Sequence, residues 1–166
     1  MKKTLKVTAF VMALMLVIAA FASCGGGGDS ASVSGKTETW GNITVLVPDG
    51  MKLTGGNILD KKNPDVVNIA KEDKATNYFL ITISDDENSA KSGIDSTRSM
   101  NKGCEDITLE FDNGKWEGVA YDYSGMEVFQ IYGKVGGRIA VVQSYGFGSD
   151  SETTKAILNS LEVKKS

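Results

Sequence analysis

This 166-residue chain contains no histidine, two prolines and two cysteines. The absence of histidine excludes imidazole acid–base catalysis and every metal site that needs an imidazole ligand. With only Cys24 and Cys104, no disulfide framework is available. Aromatic residues are sparse at 8%, and no internal repeat of solenoid length is present. Glycine, by contrast, is plentiful at 19 residues, which with so little proline suits tight turns between strands. Hydrophobic residues at 41% and charged residues at 23% are ordinary globular values and argue against disorder across the chain. The length accommodates one compact domain and a short appendage.

The appendage is at the start. Lys2, Lys3 and Lys6 precede an apolar run from Val7 to Ala22, broken only by Thr8, and no acid occurs before Asp29. A basic start, an apolar run and small residues before a break form the plan of a secretory signal. The run of sixteen residues is shorter than the about 20 that cross a bilayer. Ala20-Phe21-Ala22-Ser23-Cys24 then resembles the lipobox of bacterial lipoproteins. The resemblance implies a signal peptide over residues 1–23 and Cys24 as the acylated (palmitate-bearing) first residue of the mature chain. The alternative is a signal cut at another small residue, with Cys24 incidental. Residues 24–37 read as the lipidated cysteine and a Gly/Ser-rich linker, beginning with Gly25–Gly28. A flexible linker of about 13 residues has an r.m.s. reach of roughly 20 Å, enough to lift a domain off a lipid surface.

Removing the first 23 residues takes away three lysines and no acid, leaving fifteen basic side chains against twenty-one acidic ones, a net charge of −6. Such a domain is repelled by phosphate backbones and anionic lipids, so nucleic acid is not an expected partner and the lipid alone must hold the membrane. The expected location is the extracytoplasmic face of the cell membrane. Cys104, the remaining thiol, reads as a small buried hydrophobe or as a reactive site.

Residues 38–166 read as a single α+β domain. Alternation predicts strands at Ile43–Val47, at Met51–Leu53 after a Pro48-Asp49-Gly50 turn, at Val66–Lys71 and at Tyr78–Ser84. A helix is expected between Asp85 and Lys102, opened by a capping box at Ser84–Glu87. Asp112-Asn113-Gly114-Lys115 predicts a tight hairpin placing Phe111 opposite Trp116, and a bulge near Gly118 is expected from a change of apolar parity. Val135-Gly136-Gly137-Arg138 predicts a second hairpin, between Met126–Val135 and Arg138–Tyr145, whose faces are not separable by parity. Ser149 and Glu152 form a second capping box before a helix ending near Leu161. The expected architecture is an antiparallel meander sheet with helices packed on it.

Val45-Leu46-Val47-Pro48-Asp49-Gly50-Met51 and the closing Ile157-Leu158-Asn159-Ser160-Leu161 resemble the Mog1/PsbP-like fold, over about residues 38–166. The resemblance implies a family that includes a photosystem subunit, a nuclear-transport accessory protein and bacterial envelope lipoproteins, and it carries over no catalytic residue.

Candidate chemistry is thin. Asp85-Asp86-Glu87 lacks the alternating ligands and central glycine of a calcium loop, and Glu105-Asp106 reads as a loop edge. Gly146-Phe147-Gly148 lacks the third glycine and the βαβ setting of a phosphate loop. Ser99 and Lys102 have the Ser-x-x-Lys spacing without its companion motifs. Trp40, Tyr121, Tyr123, Tyr132 and Tyr145 are the candidate ligand-binding residues, on an aromatic sheet face. The same residues, with Trp116, serve equally as strand packing. The expected function is therefore a lipid-anchored, non-enzymatic module that needs no cofactor or metal and binds another envelope protein. The alternative is capture of a small molecule or glycan on the aromatic face.

Overall fold

The computed structural model describes residues 33–56 and 59–165. The proposed signal peptide, Cys24 and the linker as far as Ser32 lie outside the described residues. The first strand, β1 (Gly35–Trp40), already includes Gly35–Thr37, which the sequence assigns to the linker. It pairs antiparallel with β2 (Ile43–Pro48), and a two-residue closing strand, β10 (Glu162–Val163), pairs with the other edge of β2.

The fold is α+β. A seven-stranded antiparallel sheet has the order β3-β4-β5-β9-β8-β7-β6. Its strands are β3 (Met51–Gly55), β4 (Val66–Lys71), β5 (Tyr78–Ser84), β6 (Glu105–Phe111), β7 (Gly114–Asp122), β8 (Glu127–Val135) and β9 (Arg138–Tyr145). The Pro48–Gly50 turn does not close a hairpin. It carries the chain from β2 in the small sheet to β3 at the edge of the large one.

Among the described residues, two helices flank the large sheet. Helix α2 (Glu152–Ser160) and β2 pack on the inner face, where Ile43, Val45, Ile157 and Leu158 meet Phe79, Ile81, Trp116, Phe129, Ile131 and Val142 in the core. Helix α1 (Glu87–Met100) lies on the outer face over β7, β8 and β9, burying Ala90, Ile94 and Thr97. Asp86 is its N-cap, accepting from the Asn88 N–H at 2.9 Å, whereas the expected box began at Ser84. The cap of α2 is likewise Ser151 rather than Ser149, its hydroxyl accepting from the Thr154 N–H. In both cases the acceptor closer to the first helical residue wins, because a cap bonds the second or third N–H of the helix.

Coverage on both sides explains the unreadable parities of β7–β9. Trp116 faces the inner core and Val119 faces α1, and both are fully buried. The apolar shift near Gly118 is therefore two covered faces, and the ladders on either side of β7 run without a bulge. Gly118 permits close approach there, since a Cβ would overlap the Gln130 carbonyl. The first hairpin turns at Asp112-Asn113 with Gly114 at φ +127°, and Trp116 pairs with Leu109, two residues from the expected Phe111. Asn113 draws the turn toward α2: its side-chain N–H donates to the Leu158 carbonyl at 2.5 Å and its Oδ1 accepts the Trp116 indole N–H at 3.1 Å. The second hairpin has Gly136 and Gly137 at φ +63° and +89°, as its sequence requires.

Candidate functional site

Alternation along the strands sends every second residue of the large sheet to the outer face. Helix α1 covers β7–β9, and among the described residues no helix lies on the outer face of β3, β4 and β5. One cross-strand row there is Thr54, Asn68 and Leu80, continuing to Gln143 on β9 and Gln130 on β8. The next row is Lys52, Ala70, Tyr78 and Tyr145, then Val128 on β8 and Tyr121 on β7.

A concavity of about 920 Å³ opens over this part of the sheet, with mostly apolar surface, lined by Thr54, Gly56, Asn68, Tyr78 and Leu80 together with Leu59 and Lys61 of the loop after β3. Gly55 contributes backbone, and its missing side chain makes room on the inner face for the Trp40 ring, which a Cβ would overlap. Asn68 Oδ1 is buried and has no hydrogen-bond partner among the described residues. Native interiors rarely leave such an acceptor unmet. Leu80 is shared with a second, more polar hollow of about 370 Å³ that runs along α1 beside Thr82, Ser89, Gln130 and Gln143.

Of the five aromatic candidates, the structure brings two together. Tyr121 and Tyr145 share the outer-face row, and Tyr78, which sequence reading passed over, completes it by stacking on Tyr145 with centroids 4.8 Å apart. Trp40 is elsewhere, packed against the inner core with its indole N–H donating to the Asn63 carbonyl at 2.9 Å. Tyr123 stands in the β7–β8 turn, and Tyr132 lies beside α1, its hydroxyl donating to Glu117 at 3.3 Å. The five candidates are thus not one face. Strand parity alone cannot place residues of different strands, because register between strands decides neighbours.

Burial, with Tyr145 beside it, pushes the Tyr121 phenol up to about 12. Its folded value lies above the ordinary 10.0, so its contribution to stability is constant below about pH 10 and is lost as pH rises through the folded value. In a spectrophotometric alkaline titration, a late phenolate step near pH 12 is expected in the native protein and absent in Tyr121→Phe. Ionisation of all tyrosines together near pH 10 would refute the packing of Tyr121.

The remaining candidates are engaged structurally. Asp85 bonds Arg138, Asp86 caps α1, and Glu87 pairs with Lys91 at 2.7 Å and Lys134 at 3.2 Å. Asp106 pairs with Arg98, and the Ser99 hydroxyl donates to the Ser96 carbonyl in the last turn of α1. Gly146-Phe147-Gly148 is a turn into α2 whose Phe147 stacks on Phe79 at 4.7 Å. Burial pushes the half-buried Cys104 thiol up, opposed by Arg98, which disfavours the reactive thiolate. Asn68, Tyr78, Leu80 and Lys61 were missed by sequence reading. The available signals were Asn68 inside the apolar run Val66–Lys71 and the apolar residues at both parities of Tyr78–Ser84.

No protein-family model and no curated protein matches this chain. Among solved structures, the chain is similar to cyanobacterial PsbP (CyanoP) from Synechocystis sp. PCC 6803, at 15% identity and a TM-score of 0.47. The alignment covers 86% of this chain and 98% of the cyanobacterial one. No residue role is carried across from it.

Proposed function

We propose that this protein is a lipid-anchored, extracytoplasmic, non-enzymatic binding protein of Mog1/PsbP-like type, held at the cell membrane through Cys24 and binding a small molecule on the outer face of its large sheet. The observation that carries the binding reading is the concavity of about 920 Å³ over β3, β4 and β5, on the part of that face where no helix lies among the described residues. Its size falls in the range of ligand sites, which pair apolar walls with a few placed polar groups. The Tyr78–Tyr145–Tyr121 row beside it supports the second reading, an envelope protein as partner, since tyrosine is enriched at such interfaces.

Anchoring is tested by mass spectrometry of the membrane fraction. The expected N-terminal peptide begins at Cys24 and carries acyl mass, and Cys24→Ala loses that mass. Wild-type protein starting downstream without lipid would overturn the localisation. One acyl chain binds membranes only marginally, so at least two are expected on a domain with no polybasic patch.

Binding is tested by native mass spectrometry of the chain extracted from its membranes. A co-extracted small molecule lost in Leu80→Lys supports the first reading, and a stoichiometric protein lost in Tyr145→Glu supports the second. Bare protein in every preparation would sink both.

A further inference from the structure

We infer that the hollow between α1 and the outer face of β5, β9 and β8 binds an uncharged sugar ring. The site is separate from the concavity over β3, β4 and β5, with which it shares only Leu80, and it does not depend on a ligand there. Three features specify its ligand.

The first is a pair of carboxamides. Gln130 and Gln143 are the only glutamines of the chain, and they stand directly opposite each other on β8 and β9. Each is held at one end. The Thr97 hydroxyl of α1 donates to Gln130 Oε1, and Gln130 Nε2 faces Gly93 on the same helix. Gln143 Nε2 donates to the Tyr145 hydroxyl at 3.2 Å, which leaves Oε1 on the side away from Tyr145. Among the described residues, Gln130 Nε2, Gln143 Oε1 and the Thr82 hydroxyl have no hydrogen-bond partner, and unlike Asn68 Oδ1 they are open to solvent. A fixed donor, a fixed acceptor and a rotatable hydroxyl in one hollow suit a ligand rich in hydroxyls, each of which donates and accepts at one atom.

The second feature is the lack of charge. No charged residue lines this hollow, whereas the two hollows along β7 are lined by Lys91, Arg98 and Glu117 in one and Glu87, Lys115 and Lys134 in the other. An ionic ligand would shed water here without a counter-charge, a cost that a neutral one avoids. The remaining lining is apolar, from Leu80, Ala90 and Val141. A sugar ring matches both parts of the lining, with hydroxyls at its rim and C–H groups on its face. At about 370 Å³ the hollow lies at the small end of ligand sites.

Gly93 is the third feature. It stands in the middle of α1, where glycine is less favourable than alanine. Its backbone is helical, and a Cβ there would meet only Gln130 Nε2, at an ordinary contact of 3.5 Å. Neither backbone conformation nor packing requires glycine at this position, so the missing side chain serves the hollow that it lines.

The two glutamines make the site directly observable, since nitrogen-15 in the glutamine side chains gives two NH2 signal pairs and no others. The measurement is a nuclear magnetic resonance titration of the full chain in phosphocholine micelles, which carry no sugar. The probes are methyl glucoside, methyl galactoside and methyl mannoside, and near-ultraviolet circular dichroism verifies native packing in every variant.

Saturable shifts of both signal pairs by at least one of these sugars are expected, with glucuronate and glucosamine binding at least about ten-fold more weakly. Gly93→Ala should weaken the sugar by about five-fold or more while raising the melting temperature, because it fills the hollow and improves the helix. Gln143→Met, which keeps the length of the side chain without its acceptor, should also weaken it by about five-fold. No shift with any of the three sugars overturns the proposal, as does equal binding of the charged analogues. Unchanged affinity in either natively folded variant overturns it as well, and if one variant fails to fold the other decides. A response to N-acetylalanine methylamide without a response to the sugars would assign the hollow to a peptide backbone and overturn the sugar.

Discussion

Trp116→Ala is expected to destabilise the domain by about 3–5 kcal/mol, the cost of truncating a large aromatic side chain in a close-packed core. Trp116 is fully buried on the inner face of β7, where β2 and α2 close the core over the sheet. Gly133 on β8 lies under the indole, and a Cβ there would come within 2.6 Å of the ring. The indole N–H is also satisfied, by Asn113 Oδ1 at 3.1 Å, and Asn113 in turn holds the C-terminal end of α2. Truncation therefore opens a cavity and frees the hairpin turn from the helix. Domains of this kind are stable by about 5–15 kcal/mol, so this one change removes a large share. Urea unfolding of both chains checks it, with Trp116→Phe recovering part of the loss because much of the ring volume is kept. A difference below about 1 kcal/mol would mean that the indole is not in the core.

Arg138→Ala is the second large effect, expected at about 2–3 kcal/mol. The side chain is only 10% exposed and forks between two carboxylates: Nη1 to Asp65 at 2.7 Å, and Nε to Asp85 at 2.7 Å. Asp65 also accepts from the Asn42 side chain at 2.9 Å, and its carbonyl accepts the Ile83 N–H, so one residue ties the start of β2 to β5 and β9. Truncation leaves Asp65 partly buried without its cation, while the mostly exposed Asp85 is rescued by water, which places the loss below that of a fully buried pair. Arg138→Lys should recover little, because an ammonium cannot bond both carboxylates in this geometry.

A pH dependence accompanies the Arg138 contact. Burial alone would raise the Asp65 carboxyl, but Arg138 and Asn42 outweigh it and hold it below the ordinary 3.8. The folded state thus binds fewer protons than the unfolded state near that value. The stabilisation is present above the unfolded pKa and is lost as pH falls through the folded one. In wild-type protein stability should drop on acidification below about pH 4, and Arg138→Ala should flatten that limb of the curve. Parallel acid limbs in the two chains would show that the pairing contributes nothing.

The sequence alone determined the elements that local chemistry controls. Val66–Lys71 and Tyr78–Ser84 are strands to the residue, Gly136-Gly137 forms its hairpin turn, and Ile157 and Leu161 are both buried. Each rests on a period or on a backbone conformation that only particular residues adopt. The α+β class also followed from element order. Tertiary structure decided the rest. It sent the turn after Pro48 to a different sheet, paired Trp116 with Leu109, and covered β7 on both faces so that an apparent bulge was two buried parities. It also separated Trp40 from Tyr121 and Tyr145, and set Asn68 and Lys61 around one hollow. These outcomes depend on which strands become neighbours and which faces receive a helix. Such contacts join residues far apart in the chain, whereas hydrophobic period reports only that a face is covered, not by what.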